Sequence, residues 1–459
     1  MSLAVIVLAA GKGTRMKSDR PKVLHRACGR SLVGWALSGA EPLDAEETVV
    51  VVGYGADEVV ASLPSHATGV VQEPQLGTGD AARVGFGACD GDVDTVLVIL
   101  GDMPLLRTAT LASVLETHRS DGAAATMLTS NFADPTGYGR VQRNDGRIVG
   151  IVEERDADEV QRAITEVNIS VYAFDAAVLG DALGRLKSNN YQGEYYLTDV
   201  IGILSADAQK ISSVAAEEAE CLGVNSHAEL AVASRVLRGR INGQLMESGV
   251  AMVDPERAYI DADVEVAAGA TIYPDVYLQG ATSVEIGAEV GPSVHATDAH
   301  IAAAAVVRFA VIESANVGPL AAVGPFTYLR PGTELAVDTK AGAFVEVKNS
   351  HVGPRSKIPH LSYIGDTTIG EDSNVGAATI TANYNGFEKN RTTIGDRVKI
   401  GSDTILVAPV TVGDGAYTGA GSVISHDVPP GALAIERSPQ EEIPGYAERR
   451  KRRASQDGE

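Results

Sequence analysis

The sequence predicts two folds joined in one chain: a Rossmann-like α/β domain on a mostly parallel sheet over residues 1–227, and a parallel β-helix of hexapeptide repeats over 249–447. Three observations carry this. The first half alternates short β-branched runs with longer amphipathic stretches. The second half places an aliphatic residue at every sixth position. Between them, 228–248 reads as one helical arm. At 459 residues the chain is also too long for one ordinary core.

In the first half, the runs at 5–8, 48–52 and 95–100 are continuous enough to be central strands covered on both faces. The arm opens on Ser226-His227-Ala228-Glu229, the spacing of a capping box. Leu230, Ala233, Leu237, Ile241 and Leu245 then recur at three- and four-residue steps on one face, and Gly249 supplies a stop.

The six-residue register runs through Ile260, Val266, Ile272, Leu278, Val284 and Val290. It resumes at Val317, Val323, Leu329 and Leu335, and again at Ile394, Ile400, Leu406, Val412, Thr418 and Ile424. Gly, Pro, Asp and Asn crowd the positions between. Coils of this kind stack so that each covers its neighbour's apolar face; a β-sandwich would show drifting two-residue alternation instead. Two breaks interrupt the register. One, at 296–316, predicts a distorted coil; the other, at 381–391, predicts a loop thrown out from the helix. The basic end, 448–459, is expected to be disordered.

Composition narrows the function. Forty-nine glycines against one tryptophan and seven phenylalanines suit tight corners around a core of Val, Ile and Ala. A formal charge of −22 argues against a nucleic-acid partner. Cys28, Cys89 and Cys221 are odd in number and fit no metal-ligand spacing, which suits a reducing cytoplasm. The apolar opening at 3–8 has no positive segment before it and runs into Gly11-Lys12-Gly13, so it reads as a strand rather than a signal peptide. No apolar run is long enough to cross a bilayer, so no membrane partner is expected.

The first candidate site follows the first strand: Leu8-Ala9-Ala10-Gly11-Lys12-Gly13-Thr14-Arg15-Met16. It is neither GxGxxG nor the Walker pattern. Gly11 and Gly13 let backbone amides approach phosphates, and Arg15 and Lys22 supply positive charge. Asp102 ends a strand, where open α/β sheets bind ligands. The segment through Pro21-Lys22 resembles the signature of the sugar-phosphate nucleotidyltransferases. Further pieces match in order: Gln72, Gln75-Leu76-Gly77-Thr78-Gly79, Gly101-Asp102-Met103-Pro104, Gly137-Tyr138-Gly139-Arg140, Ile151-Val152-Glu153, Asn168 and Gly223-Val224-Asn225. Within that group the chain resembles the bifunctional N-acetylglucosamine-1-phosphate uridyltransferase/glucosamine-1-phosphate acetyltransferase family. The resemblance implies that Leu8, Ala9, Ala10, Gly11, Gln72, Gly77, Thr78 and Gly101 hold the uracil nucleotide. It gives Gly139, Glu153 and Asn168 to the amino sugar, and Asp102 and Asn225 to Mg²⁺. Lys22 and Arg15 would neutralise charge while N-acetylglucosamine 1-phosphate attacks UTP.

The second candidate site centres on His360, since acylating an amine needs a base and histidine titrates near neutral pH. Arg330, Lys348, Tyr363 and Asn374 fall on neighbouring coils, with the loop at 383–386 just beyond. The same family resemblance implies that these four bind the phosphate and sugar of glucosamine 1-phosphate and that His360 is the general base. It assigns acetyl-CoA to Ala377, Asn383, Tyr384, Ser402, Ala420 and Arg437, and lets Lys389 reach a phosphate. It further implies a left-handed coil and a homotrimer with acetyl-CoA at the subunit interface. One departure is visible: Asn385 stands where relatives carry aspartate, which puts the loop geometry in question. Three rival readings remain at this point: a β-helix that is only a scaffold, a different sugar or nucleotide, and a non-catalytic binding protein.

Overall fold

The computed structural model describes residues 2–89 and 93–456. The chain divides into two compact units, Met1–Ile241 and Asn242–Glu459.

The first unit is built on one sheet. Its strands run in the order Ile211–Ala215, Ala125–Asn131, Glu166–Asp175, Thr95–Leu100, Leu3–Ala9, Glu47–Val52, Thr68–Val71. Glu166–Asp175 is antiparallel to both neighbours and the other pairings along this path are parallel. The runs expected as central strands occupy its middle, and the alternation of strand side chains explains why they are apolar throughout. Val5, Val7, Val50, Val52, Leu97 and Ile99 pack on one face with helices Leu32–Ala40 and Thr108–Asp121. Ile6, Leu8, Val51, Val96 and Val98 pack on the other with Thr78–Phe86, Ala176–Arg185 and Asp199–Ala206. Both faces are therefore covered, and the open positions lie at the carboxyl ends of Leu3–Ala9 and Thr95–Leu100.

The arm is the helix His227–Glu247, and the division between units falls within it. Its start differs in detail from a regular capping box. Ser226 Oγ accepts the Glu229 amide at 3.3 Å, while the Glu229 carboxylate reaches past Ser226 to the Asn225 amide at 2.6 Å. Ala233 and Leu237 are buried against Leu105, Val224 and Leu32. In the second unit, buried Asn242 donates to the carbonyls of Pro255 and Ala258, tying the helix end to the first coil.

The second unit is a left-handed parallel β-helix with faces of 11, 10 and 9 strands among the described residues. Every aliphatic position of the predicted register is buried, and so is Thr418. The first break is not a distortion. Buried Ala296, Ile301, Val307 and Ile312 carry the ladder through it, with some sides shortened from six residues to five. Dropping one turn residue leaves the inward aliphatic in place, so the coil stays regular while the sequence period slips. The second break is a true excursion between strands Ile380–Ala382 and Thr392–Ile394, pinched by a bridge between Tyr384 and Lys389. The basic end departs from the expected disorder: Tyr446–Gln456 is a helix with no buried residue, and 457–459 lie outside the described residues. Alanine, arginine and lysine are good helix formers, and Glu448 sits in the first turn, where a negative charge favours a helix.

Candidate functional site

The first site is a cavity of about 390 Å³ at the carboxyl edge of the sheet. Of the residues predicted to hold nucleotide, Leu8, Ala9, Ala10, Gly11, Lys22, Gln72, Gly77, Thr78 and Asp102 line it. Lys12, Gln75 and Glu194 line it as well. Gly13 has φ +63, and a Cβ there would lie 2.5 Å from Lys22 Cβ, so glycine is needed for Lys22 to approach the loop. Gly11 is different: a Cβ there would meet nothing within 4 Å. Its missing side chain leaves open the space that a phosphate would take beside the backbone. Gly77 closes against the 194–195 segment, where a Cβ would sit 2.6 Å from the Tyr195 carbonyl. Gln75 Nε2 donates to the Ala10 carbonyl at 2.8 Å and braces the loop from the far side. Gly101 donates its amide to the Leu8 carbonyl, which joins the ends of the two central strands. Arg15 is exposed on the turn Thr14–Met16.

Lys22 is the centre of the polar cluster. Its ammonium pairs with Asp102 Oδ2 and donates to Asn225 Oδ1 at 3.1 Å. The two residues predicted to hold a metal thus already converge on one cation. Asp102 Oδ1 is buried without a hydrogen-bond partner. Two hard oxygens, one of them unsatisfied, with the remaining ligands left to phosphate and water, fit Mg²⁺.

The predicted amino-sugar residues also come together. Asn168 donates its amide to the Gly139 carbonyl at 2.8 Å, and a Cβ on Gly139 would lie 3.5 Å from Glu153 Oε2. Buried Arg140 holds this segment by donating to the Tyr138 carbonyl and pairing with Glu154 at 2.7 Å. Burial pushes the Glu153 carboxyl above the usual carboxylate range, and Asp156 and Asp199 reinforce the shift; a 3.0 Å hydrogen bond from Thr198 opposes it. A raised carboxyl stabilises the fold when protonated and loses that contribution as pH rises through its folded value. Glu153→Gln is therefore expected to raise the thermal midpoint at neutral pH. The advantage should shrink as pH falls into the carboxylate range, which scanning calorimetry across that window would detect.

On the β-helix, His360 ends the strand Lys357–His360, exposed, just before a corner at Leu361 with φ +49. Corners with positive φ recur at Ala378, Asp403 and Gly421 on the following coils. The residues preceding them are Ala377, Ser402 and Ala420. The carbonyls of His360, Ala377 and Ser402 accept the amides of Ala378, Asp403 and Gly421 in turn. His360, Ala377, Ser402 and Ala420 therefore form one column, about 14 Å long at parallel-ladder spacing. Arg437 Nη1 closes it by donating to the Ala420 carbonyl at 2.9 Å.

The neighbouring face carries the charge. Arg330 pairs with Glu346 at 2.8 Å, and Tyr363 is in register with Glu346. Lys348 lies beside Lys389 and 3.3 Å from buried Asp366. The adjacent Lys348 ammonium holds the Lys389 amine below the usual lysine range. Asp366 also accepts from Asn349 at 2.6 Å and Asn383 at 2.5 Å. Burial pushes its carboxyl up, but these hydrogen bonds and Lys348 outweigh burial and hold it below the usual range. One carboxylate thus links Lys348 to the loop. Asn374 stands instead on the face of the His360 strand, in register with Lys357 and Lys399. Tyr384 is exposed on the loop. Asn385 Oδ1 accepts the amides of Phe387 and Glu388 at 3.0 and 2.9 Å. An aspartate oxygen would do the same, so the substitution keeps the turn.

Sequence reasoning did not single out Lys12, Gln75, Glu194 or Asp366. The first two and the last lie inside segments read for other reasons; Glu194 reaches the cavity from 190–196, which carries no motif that was read.

A family model for the MobA-like NTP transferase domain matches residues 5–167, and one for the bacterial transferase hexapeptide (six repeats) matches 391–426. Proteins named bifunctional protein GlmU align along nearly the whole chain. That of Streptomyces avermitilis is 50% identical over 98% of this chain and 94% of its own length. That of Streptomyces coelicolor is 49% identical over the same shares, and that of Mycolicibacterium vanbaalenii 48% over 98% and 93%. With an NTP-transferase domain in the α/β unit, hexapeptide repeats in the β-helix and relatives of this kind matched along nearly its whole length, the chain belongs to the GlmU family of bifunctional transferases.

Proposed function

We propose that the chain makes UDP-N-acetylglucosamine in two steps. The second unit moves the acetyl group of acetyl-CoA to glucosamine 1-phosphate. The first unit then joins the N-acetylglucosamine 1-phosphate to the uridylyl group of UTP and releases pyrophosphate. The observation that carries this reading is the column His360, Ala377, Ser402 and Ala420 beside a face bearing Arg330, Lys348 and Lys389. A pure scaffold has no use for an imidazole and a cationic cluster placed together.

In the acetylation, Arg330 and Lys348 bind the sugar phosphate, with Tyr363 beside them. His360 takes the proton as the amine attacks the thioester carbonyl, and the C–S bond breaks to release the coenzyme thiolate. Ala377, Ser402 and Ala420 give the extended coenzyme a track toward Arg437, and Asn383 and Tyr384 border it from the loop. Asn374 lies on the face of the His360 strand rather than that of Arg330, Lys348 and Tyr363, which suits a site completed by a second copy, in keeping with a homotrimer. In the uridylylation, the sugar phosphate is already an anionic nucleophile, so no protein base is required; positioning and charge neutralisation do the work. Glu153, Asn168 and Gly139 hold the sugar. Gln72, Gly77 and Thr78 border the base, and Leu8, Ala9, Ala10 and Gly11 border the phosphates. Lys22 and Arg15 supply positive charge. Asp102 and Asn225 would hold Mg²⁺, which supplies further neutralisation on the triphosphate. Cys28, Cys89 and Cys221 form no disulfide among the described residues, in keeping with a reducing compartment. Among the described residues no helix is long and apolar enough to cross a membrane.

The test is a coupled assay with glucosamine 1-phosphate, acetyl-CoA, UTP and Mg²⁺. UDP-N-acetylglucosamine should form with all four present. Omitting acetyl-CoA should stop it unless N-acetylglucosamine 1-phosphate is supplied. Product formed from N-acetylglucosamine 1-phosphate but never from glucosamine 1-phosphate would reduce the β-helix to a scaffold.

A further inference from the structure

Gln72 lines the nucleotide cavity and is 3% exposed. Both hydrogens of its amide are engaged on the protein side: Nε2 donates to the Gly77 carbonyl at 3.0 Å and to Asp80 Oδ2 at 2.7 Å. Asp80 is itself 6% exposed and ion-paired through its other oxygen to Arg83. The Arg83 guanidinium lies over the Tyr195 ring, 5.3 Å from its centroid. A carbonyl and a carboxylate can only accept, so an amide turned the other way would set oxygen against two acceptors. The direction of the Gln72 amide is therefore fixed by its partners, and Oε1 is left as its free polar end.

We propose that Asp80 is a specificity-determining positioning residue: by holding the Gln72 nitrogen, it presents Oε1 as an acceptor to the base. This rests on the reading of the cavity as a UTP site. An acceptor at that point pairs with the N3–H of a uracil or thymine ring. Cytosine carries a lone pair at N3, which would face the Oε1 lone pairs. Its exocyclic amine could reach Oε1 only if the base slid along its edge, carrying the triphosphate away from its aligned position. A site built around one hydrogen bond rejects the analogue that lacks it far more strongly than a greasy pocket rejects an extra methyl group. Asp80 would contact no substrate, acting through Gln72 alone.

The experiment compares kcat/KM for UTP and CTP, with N-acetylglucosamine 1-phosphate and Mg²⁺, in the full chain and in the Asp80→Ala and Asp80→Leu variants. Leucine is branched at the same position as aspartate and fills the space without accepting a hydrogen bond, so it guards against collapse of the site. In both variants only the Gly77 carbonyl still holds the Gln72 nitrogen, so the direction of the amide is no longer fixed by two acceptors. The UTP-to-CTP ratio should fall about tenfold or more, through a higher KM for UTP with kcat nearly kept. A ratio within about twofold of the parent's in either folded variant would overturn the proposal. Equal losses for UTP and CTP would also overturn it, because a merely structural residue would produce that pattern. Failure of the parent chain to use UTP at all would instead sink the functional reading on which the proposal rests.

Discussion

Lys22→Ala is expected to lower kcat for uridylyl transfer about 10²- to 10³-fold while leaving acetyl transfer within about twofold. Lys22 reaches two groups at once, Asp102 and Asn225, and it stands where the glycine-bordered loop opens toward the phosphates. Removing it takes away positive charge where the transferring phosphoryl group concentrates negative charge. It also leaves the Asp102 carboxylate facing the site without its partner, so part of the loss will appear as stability. The side chains of the pair are 12% and 17% exposed, and breaking such a pair from one side destabilises by up to about 3–5 kcal/mol. Asp102→Ala should abolish the same half-reaction through loss of the oxygen proposed to hold Mg²⁺. Parallel assays of both half-reactions, with a thermal unfolding scan, separate these effects. Loss of both activities together would indicate misfolding rather than a chemical role.

His360→Ala is the counterpart, expected to cost acetyl transfer about 10²- to 10⁴-fold and to spare uridylyl transfer. The stability readout is cleaner here. His360 is exposed at the end of a short strand, and its structural engagement is through its backbone carbonyl, which alanine keeps. Exposed substitutions of this kind usually change stability by less than about 0.5 kcal/mol. An unchanged melting temperature with acetylation lost would assign the imidazole to chemistry. Near-normal acetylation would remove His360 from the base role.

Much of this was legible in the residues because the fold's period and its apolar pattern coincide. Ile260 to Val290 march at six-residue steps because each side of a coil sends the same position inward, so one-dimensional spacing reports three-dimensional burial. The same logic fails at 296–316. The sides shorten there, and a reader counting sixes loses the ladder although Ile301 and Ile312 stay buried. The nucleotide loop was legible as a glycine-rich turn after a strand. Glu194 was not, because it is brought to the cavity by a tertiary approach, with the Gly79 amide donating to the Tyr195 carbonyl. Asp366 was passed over for a related reason. A buried aspartate at a corner looks like a turn residue until the coils on either side deliver Lys348, Asn349 and Asn383 to it. Asp80 is the same case in the first unit, since the partner that gives it meaning is eight positions away on another element.

The claim beneath all of this is that one chain carries two separate active sites, each needed for one half-reaction. The most direct measurement supplies glucosamine 1-phosphate, acetyl-CoA, UTP and Mg²⁺ to Lys22→Ala protein, to His360→Ala protein, and to a mixture of the two. Two separate sites predict that neither variant alone forms UDP-N-acetylglucosamine at an appreciable rate and that the mixture does, through released N-acetylglucosamine 1-phosphate. Efficient product formation from glucosamine 1-phosphate by the His360→Ala protein alone would contradict it.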